Sequence, residues 1–261
     1  MRRPVILSAV VLFCALFVAG SPALTKQLFY GGILRIPRFI ASSPAEKAVE
    51  QSAQRVGERM LYDIKIGSIY LGKAEFHHVS RVDFAGKPAN LVTFKTELAR
   101  FTDLEKIYSD ASSFLPLRVE RFVSTWPVPE EIIEVYRQDD FTLNIKKIKG
   151  DKQESVVIKK DSVIHNAVML PFYVRMMPRL SVGWSMRATL PNQSFQIKLV
   201  SIEDVTVPAG TFSAYYFSSE PAKFEIWVSA DSRRIPLKIK GAGLMGYTLV
   251  LREYKDAPVK E

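Results

Sequence analysis

Cysteine is nearly absent from this chain of 261 residues: the single one, Cys14, stands inside an apolar run close to the N-terminus. A domain beyond that run has no disulfides, so its stability must come from its core. Histidine is almost as scarce, with three in all. His77 and His78 are neighbours in a strand pattern and point to opposite faces, so they cannot hold a metal jointly. His165 opens an apolar segment and reads as a capping or surface residue. With no cysteine and no acidic cluster beside them, no metal site is expected. A Gly-x-Ser-x-Gly elbow, a phosphate loop and a dinucleotide fingerprint are missing too. The sequence therefore predicts no cofactor and a non-enzymatic role.

Long runs of one charge are also lacking. Lysine and arginine number 36 against 27 acids, a formal net charge of +9. The excess is spread in pairs such as Lys146-Lys147, Lys159-Lys160 and Arg233-Arg234, which reads as a solvated basic face and excludes a nucleic-acid groove. Peripheral attraction to an anionic membrane is the weaker expectation.

What is present begins with residues 1–23: Arg2-Arg3, an apolar run over residues 5–19, then Ser21-Pro22-Ala23 with small residues at a cleavage position. That order is the secretory signal pattern. Phe13 before Cys14 argues against a lipoprotein cleavage box. An uncleaved anchor is the alternative, because the run with its flanks approaches the roughly 20 apolar residues of a membrane span. Residues 24–56 read as a lead-in, broken by Gly31-Gly32 and Pro37, and a polar helix that begins at Ser43-Pro44.

From Arg59 the period changes from helical to alternating, and short polar turns separate one strand from the next. Residues 57–256 are expected to form one domain, with 257–261 as a tail. Within it, Gly210-Thr211-Phe212, a strand of residues 224–228 and Arg233-Arg234-Ile235-Pro236-Leu237-Lys238 find an echo in Gly86, residues 106–110 and Phe114-Leu115-Pro116-Leu117-Arg118. Both copies run an aromatic strand into a Ser/Asp turn and leave through apolar-Pro-Leu-basic, which predicts two related halves of one sheet. Pro116 and Pro236 belong at strand starts or edges, since proline cannot donate to a ladder. Trp227 is expected in the core.

Residues 161–178 interrupt the β pattern with Met169, Leu170, Phe172, Tyr173, Val174, Met176 and Met177, and with Pro171 inside. This predicts a short kinked helical element, apolar nearly all round, that needs a cover. The concave face of a curved antiparallel sheet is the natural one. Arg175 inside so apolar a stretch must find a carboxylate, backbone carbonyls or water, because an unpaired buried charge is costly. Two readings stand: an Arg paired with a sheet acid to orient the plug, or an Arg at a pocket mouth holding a lipid phosphate or carboxylate.

Gly57-Glu58-Arg59-Met60-Leu61-Tyr62-Asp63, Gly72-Lys73-Ala74, Leu115-Pro116-Leu117-Arg118, Tyr173-Val174-Arg175 before Gly183, Pro208-Ala209-Gly210-Thr211-Phe212 and the stretch from Ile226 to Pro236 together resemble the exported bacterial family catalogued as domain of unknown function 3108. The resemblance runs over residues 57–253. It implies an envelope setting and a large sheet similar to the half-barrels of lipoprotein-localisation carriers, and no known reaction. The fold expected is thus mainly β, half-barrel-like, with the apolar element in its concave face. The function expected is binding or transfer of a hydrophobic or acyl-bearing ligand in the periplasm or envelope, with Phe172, Tyr173 and Trp184 lining a groove and Arg175 at its entrance. A structural or assembly partner of another envelope protein is the competing reading. A hydrolase with an unannounced site ranks third.

Overall fold

The computed structural model describes residues 55–124, 127–241 and 246–258. The signal segment, nearly all of the lead-in with its polar helix, and the last residues of the tail lie outside the described residues. Fourteen strands form one antiparallel sheet: β1 (Arg59–Ile66), β2 (Ile69–Phe84), β3 (Lys87–Leu98), β4 (Phe101–Asp110), β5 (Pro116–Ser124), β6 (Glu130–Arg137), β7 (Thr142–Lys149), β8 (Lys152–Lys159), β9 (Ser185–Thr189), β10 (Ser194–Val207), β11 (Gly210–Glu220), β12 (Phe224–Ser229), β13 (Pro236–Gly241) and β14 (Thr248–Lys255). A single helix, α1 (Leu170–Arg175), stands between β8 and β9 among the described residues.

The strand order is β8 to β1, then β14 down to β9. Two meanders thus meet where β1 pairs with β14, and β8 and β9 are the sheet's two edges. Alternation sets the faces. Met60, Tyr62 and Ile64 of β1 are buried, as are Phe76 of β2, Val92 of β3, Ile107 of β4, Ile226 of β12 and Leu249 of β14. These side chains, with residues of α1, make one apolar cluster in the hollow of the curved sheet.

The chain must travel from edge β8 to edge β9, and residues 160–184 do so across that hollow. Residues 160–166 bridge the two edges: the Lys160 N–H bonds to the Phe141 carbonyl, the Ile164 N–H bonds to the Gln138 side chain (2.9 Å), and the His165 N–H bonds to the Thr189 carbonyl (2.7 Å). Among the described residues no strand pairing closes the sheet, but this bridge ties its ends together. Helix α1 follows with Pro171 in its first turn, and the turn before it is held by Asn166, whose side-chain oxygen accepts the N–H of Val168 (2.9 Å). All six helix residues are buried, which is why a helix of this length persists at all.

The two-halves expectation shows in the turns as well as in the strands. β4 and β12 each end in an aspartate turn, and β5 and β13 each begin with a proline. A register shift falls at the same place in both: Tyr108 faces Arg118 and Ser109 faces Pro116, as Trp227 faces Lys238 and Val228 faces Pro236. Phe114 (φ 59°) and Arg234 (φ 49°) hold the equivalent left-handed position. Trp227 is 7% exposed, on the outer face, stacked on Tyr216 and donating to Glu203 at 2.7 Å. His165 corrects the surface expectation. It is buried, meets the Tyr173 ring edge-on, and its Nδ1 accepts the Thr189 N–H at 3.2 Å.

Candidate functional site

Glu58 precedes β1 and shares the inward parity of Met60, Tyr62 and Ile64. Gly57 delivers it. Its φ of 97° suits glycine, and an added Cβ would stand 2.6 Å from Cδ of Pro258. The Gly57 N–H bonds to the His78 carbonyl at 2.7 Å and the His78 N–H to the Glu58 carbonyl at 3.0 Å, so Glu58 and His78 lie side by side facing inward. His77 points the other way and is half-buried, as neighbours in a strand must.

Arg175, at the end of α1, descends onto this pair. Its two terminal nitrogens reach the two Glu58 oxygens at 2.9 and 2.7 Å, a bidentate ion pair with both side chains almost wholly buried. The carbonyl of Arg233 accepts from Arg175 as well (3.1 Å), and the Tyr254 hydroxyl stands 2.8 Å from Glu58. Arg55 approaches Glu58 at 3.6 Å. Burial alone would raise the Glu58 pKa. The charge and hydrogen bonds of Arg175 more than reverse this, and the carboxylate is held below its ordinary range. Burial likewise works against the guanidinium, and Glu58 outweighs it to raise the Arg175 pKa. Of the two readings of Arg175, the pairing with an acid at the sheet's margin is the one in place.

Arg234 fastens the end of the helix from above, donating to the carbonyls of Arg175 (3.3 Å) and Met177. These carbonyls have no helical partners, and a cation there suits the helix dipole.

Beneath α1 lies a partly open apolar cavity of about 70 Å³. Its walls include Phe94, Phe101, Leu170, Phe172, Phe224 and Ile226, with Thr96 and Asp103 as the polar exceptions. Among the residues singled out from the sequence, Phe172 lines this cavity. Tyr173 is buried beside His165 and its hydroxyl oxygen accepts the Asn166 N–H at 3.3 Å, while Trp184 packs edge-on against Phe217. Arg175 lines a separate, smaller cavity with Glu58 and His78.

The sequence reading passed over Glu58, His78, Asp103 and Arg121 as site residues. Asp103 and Glu105 sit on the inward parity of β4 with Phe101 and Ile107, and Arg121 donates to Asp103 at 2.8 Å while standing 3.6 Å from Glu105. The signal was available. A charged residue at the buried parity of an alternating strand is the exception to look for. No group of three or more histidine, cysteine or acidic side chains among the described residues is placed to hold a metal.

Three solved structures match the chain at low identity. One is a beta-barrel-like protein of domain of unknown function 1849 from Brucella abortus, 9% identical, covering 79% of this chain and 100% of its own, with a TM-score of 0.49. Another, from Bacteroides fragilis, is described as an exported protein with a YmcC-like fold (10% identity, 78% and 97% coverage, TM-score 0.34). The third, from Parabacteroides distasonis, is described as a lipoprotein (9% identity, 77% and 96% coverage, TM-score 0.28). No curated protein matches the chain. The family described as Protein of unknown function (DUF3108) matches residues 54–252, most of the chain, and the protein belongs to that family.

Proposed function

We propose that this protein is a non-enzymatic component of the bacterial envelope that binds or hands over a hydrophobic, acyl-bearing ligand between its curved sheet and the plug formed by residues 160–184. The observation that carries this reading is the apolar cavity beneath α1, walled by both meanders and by the helix. Close packing is the rule in protein interiors. A void at the seam between a sheet and a short, separately anchored element is where a guest enters at least cost. At about 70 Å³ it is roughly half the ~150 Å³ cavity that admits a benzene ring. At rest it takes the end of a chain, and a longer acyl group must shift the plug outward. The export pattern of residues 1–23 and the basic excess of the chain fit an envelope setting.

A second reading, docking to another envelope protein by strand addition, rests on β8. Among the described residues it pairs only with β7, and Val156 and Val157 are exposed there. Native mass spectrometry of the protein purified from an exporting host, followed by organic extraction, separates the two. A co-purifying acyl compound is expected. A bare protein that crosslinks through β8 to an envelope protein would favour the second reading.

A further inference from the structure

The apolar cavity beneath α1 is shut at one end. Toward Glu58 it stops at the Phe76–Phe172 stack, ring centres 3.8 Å apart, with the Arg175–Glu58 pair behind. Other walls, Ile64, Thr96 and Phe101 among them, stand near the opposite rim of the sheet, where β1 turns into β2 and β3 into β4. The inward parity of β1 continues from Ile64 to Ile66, and Ile69 faces Ile66 across the turn. On β3 the same parity runs from Phe94 and Thr96 to Leu98. Ile66, Ile69 and Leu98 thus carry the apolar lining of the cavity out to this rim.

The tip of the β1–β2 hairpin leaves its large side chains uncovered. Ile69 is 65% and Tyr70 54% exposed, side by side after Gly67-Ser68. At the end of an apolar track such a pair marks a contact surface, which an isolated exposed residue would not. The charge around it says what the surface fits. Lys65, Lys73, Lys95, Arg100 and Arg252 stand on the strand ends and turn nearest the tip, against Asp63 and Glu97. Lys73 and Lys95 both pair with Glu97, at 3.0 and 2.6 Å, and Arg252 pairs with Asp63. Lys65, directly opposite Tyr70 in the register, and the exposed Arg100 have no acidic partner among the described residues. An apolar tip flanked by surplus cations matches a layer with phosphates outside and hydrocarbon just beneath. Basic side chains and a tyrosine ring can bridge the two.

We propose that this rim docks on an anionic lipid bilayer, with Ile69 and Tyr70 at the acyl boundary and Lys65 and Arg100 on lipid phosphates. The cavity then faces the hydrocarbon, and the path into it runs over Ile69, Ile66 and Leu98. This deepens the ligand-binding reading and rests on it: the acyl guest passes between membrane and cavity without crossing water.

The test is co-sedimentation of the exported protein with vesicles of phosphatidylcholine alone and of equal parts phosphatidylcholine and phosphatidylglycerol. Binding should favour the anionic vesicles. Lys65→Gln with Arg100→Gln should weaken it about thirtyfold, the scale of two basic residues at an anionic surface. Ile69→Ser with Tyr70→Ser should weaken it about tenfold, the scale of one large apolar side chain taken out of water. The control is Lys87→Gln with Lys159→Gln, which removes the same charge from exposed positions at the opposite rim and should leave binding near the wild-type value. All variants should keep the melting temperature, because the changed side chains lie at the surface. Equal losses in the Lys65/Arg100 and control variants would reduce the attraction to net charge and overturn the docking rim. Protein that sediments with neither vesicle overturns it too and leaves the tip to a protein partner. Vesicle binding is read without an acyl guest, so either failure leaves the cavity reading to its own experiment.

Discussion

The turn after β4 and the turn after β12 are built alike, yet they do opposite work at one place. Asp110 accepts the N–H groups of Ser112 and Ser113, and Asp231 accepts that of Arg234. Each turn then passes through a left-handed residue into a proline that starts the next strand. In the first half that residue is Phe114, 4% exposed, whose ring meets His78 edge-on and closes the small cavity. In the second it is Arg234, which holds the carbonyls at the end of α1. One repeat supplies an apolar wall and its counterpart a polar clamp. Both converge on the Glu58–Arg175 pair. The repeated backbone sets where the two side chains arrive, and the side chains decide what each arrival does.

Removing what both turns grip should have the largest effect. Glu58→Gln leaves the Arg175 guanidinium buried without its counter-charge and should destabilise the fold by about 3–5 kcal/mol in urea unfolding. The variant also isolates an acid response. The folded-state pKa of Glu58 lies below its unfolded value, so its contribution is complete above the ordinary carboxylate range and is lost as pH falls through the folded value. The stabilities of wild type and Glu58→Gln should therefore begin to converge as pH falls below the ordinary carboxylate value and meet once it has passed the folded one. His78, lowered to about 4, adds an earlier loss as pH drops below the ordinary imidazole value, and Glu58→Gln should leave that earlier part in place.

Exchanging the paired turn residues sharpens the comparison. Phe114→Ala opens the core next to His78 and should cost about 3 kcal/mol in global stability. Arg234→Ala should cost only about 1 kcal/mol, with faster amide exchange confined to α1 and the residues after it. Equal costs, or protection lost across the whole sheet in Arg234→Ala, would show that the clamp belongs to the core like its counterpart.

The alternation after Arg59, the prolines at 116 and 236 and the aspartate turns were enough to read a large antiparallel sheet in two related halves. The apolar run around Phe172 was enough to place a covered element in its hollow. These features are legible because strand period and turn chemistry are local. What stayed hidden depends on pairing between distant segments. Glu58 and Arg175 lie 117 positions apart, and only the β1–β2 register brings His78 beside them. The same limit explains Tyr173 and Trp184. Their chemistry suits a ligand wall, but which side of the crossing segment faces the void is fixed by its tethers to Gln138 and Thr189.

The most direct test of the central claim is photolabelling with a medium-chain fatty acid carrying a diazirine at its tail, with the adduct mapped by peptide mass spectrometry. Labels on Phe94, Phe224 or Ile226, competed away by octanoate, are the predicted result. Labels confined to the outer face or to Val156 and Val157 of β8 would contradict an acyl site beneath the plug.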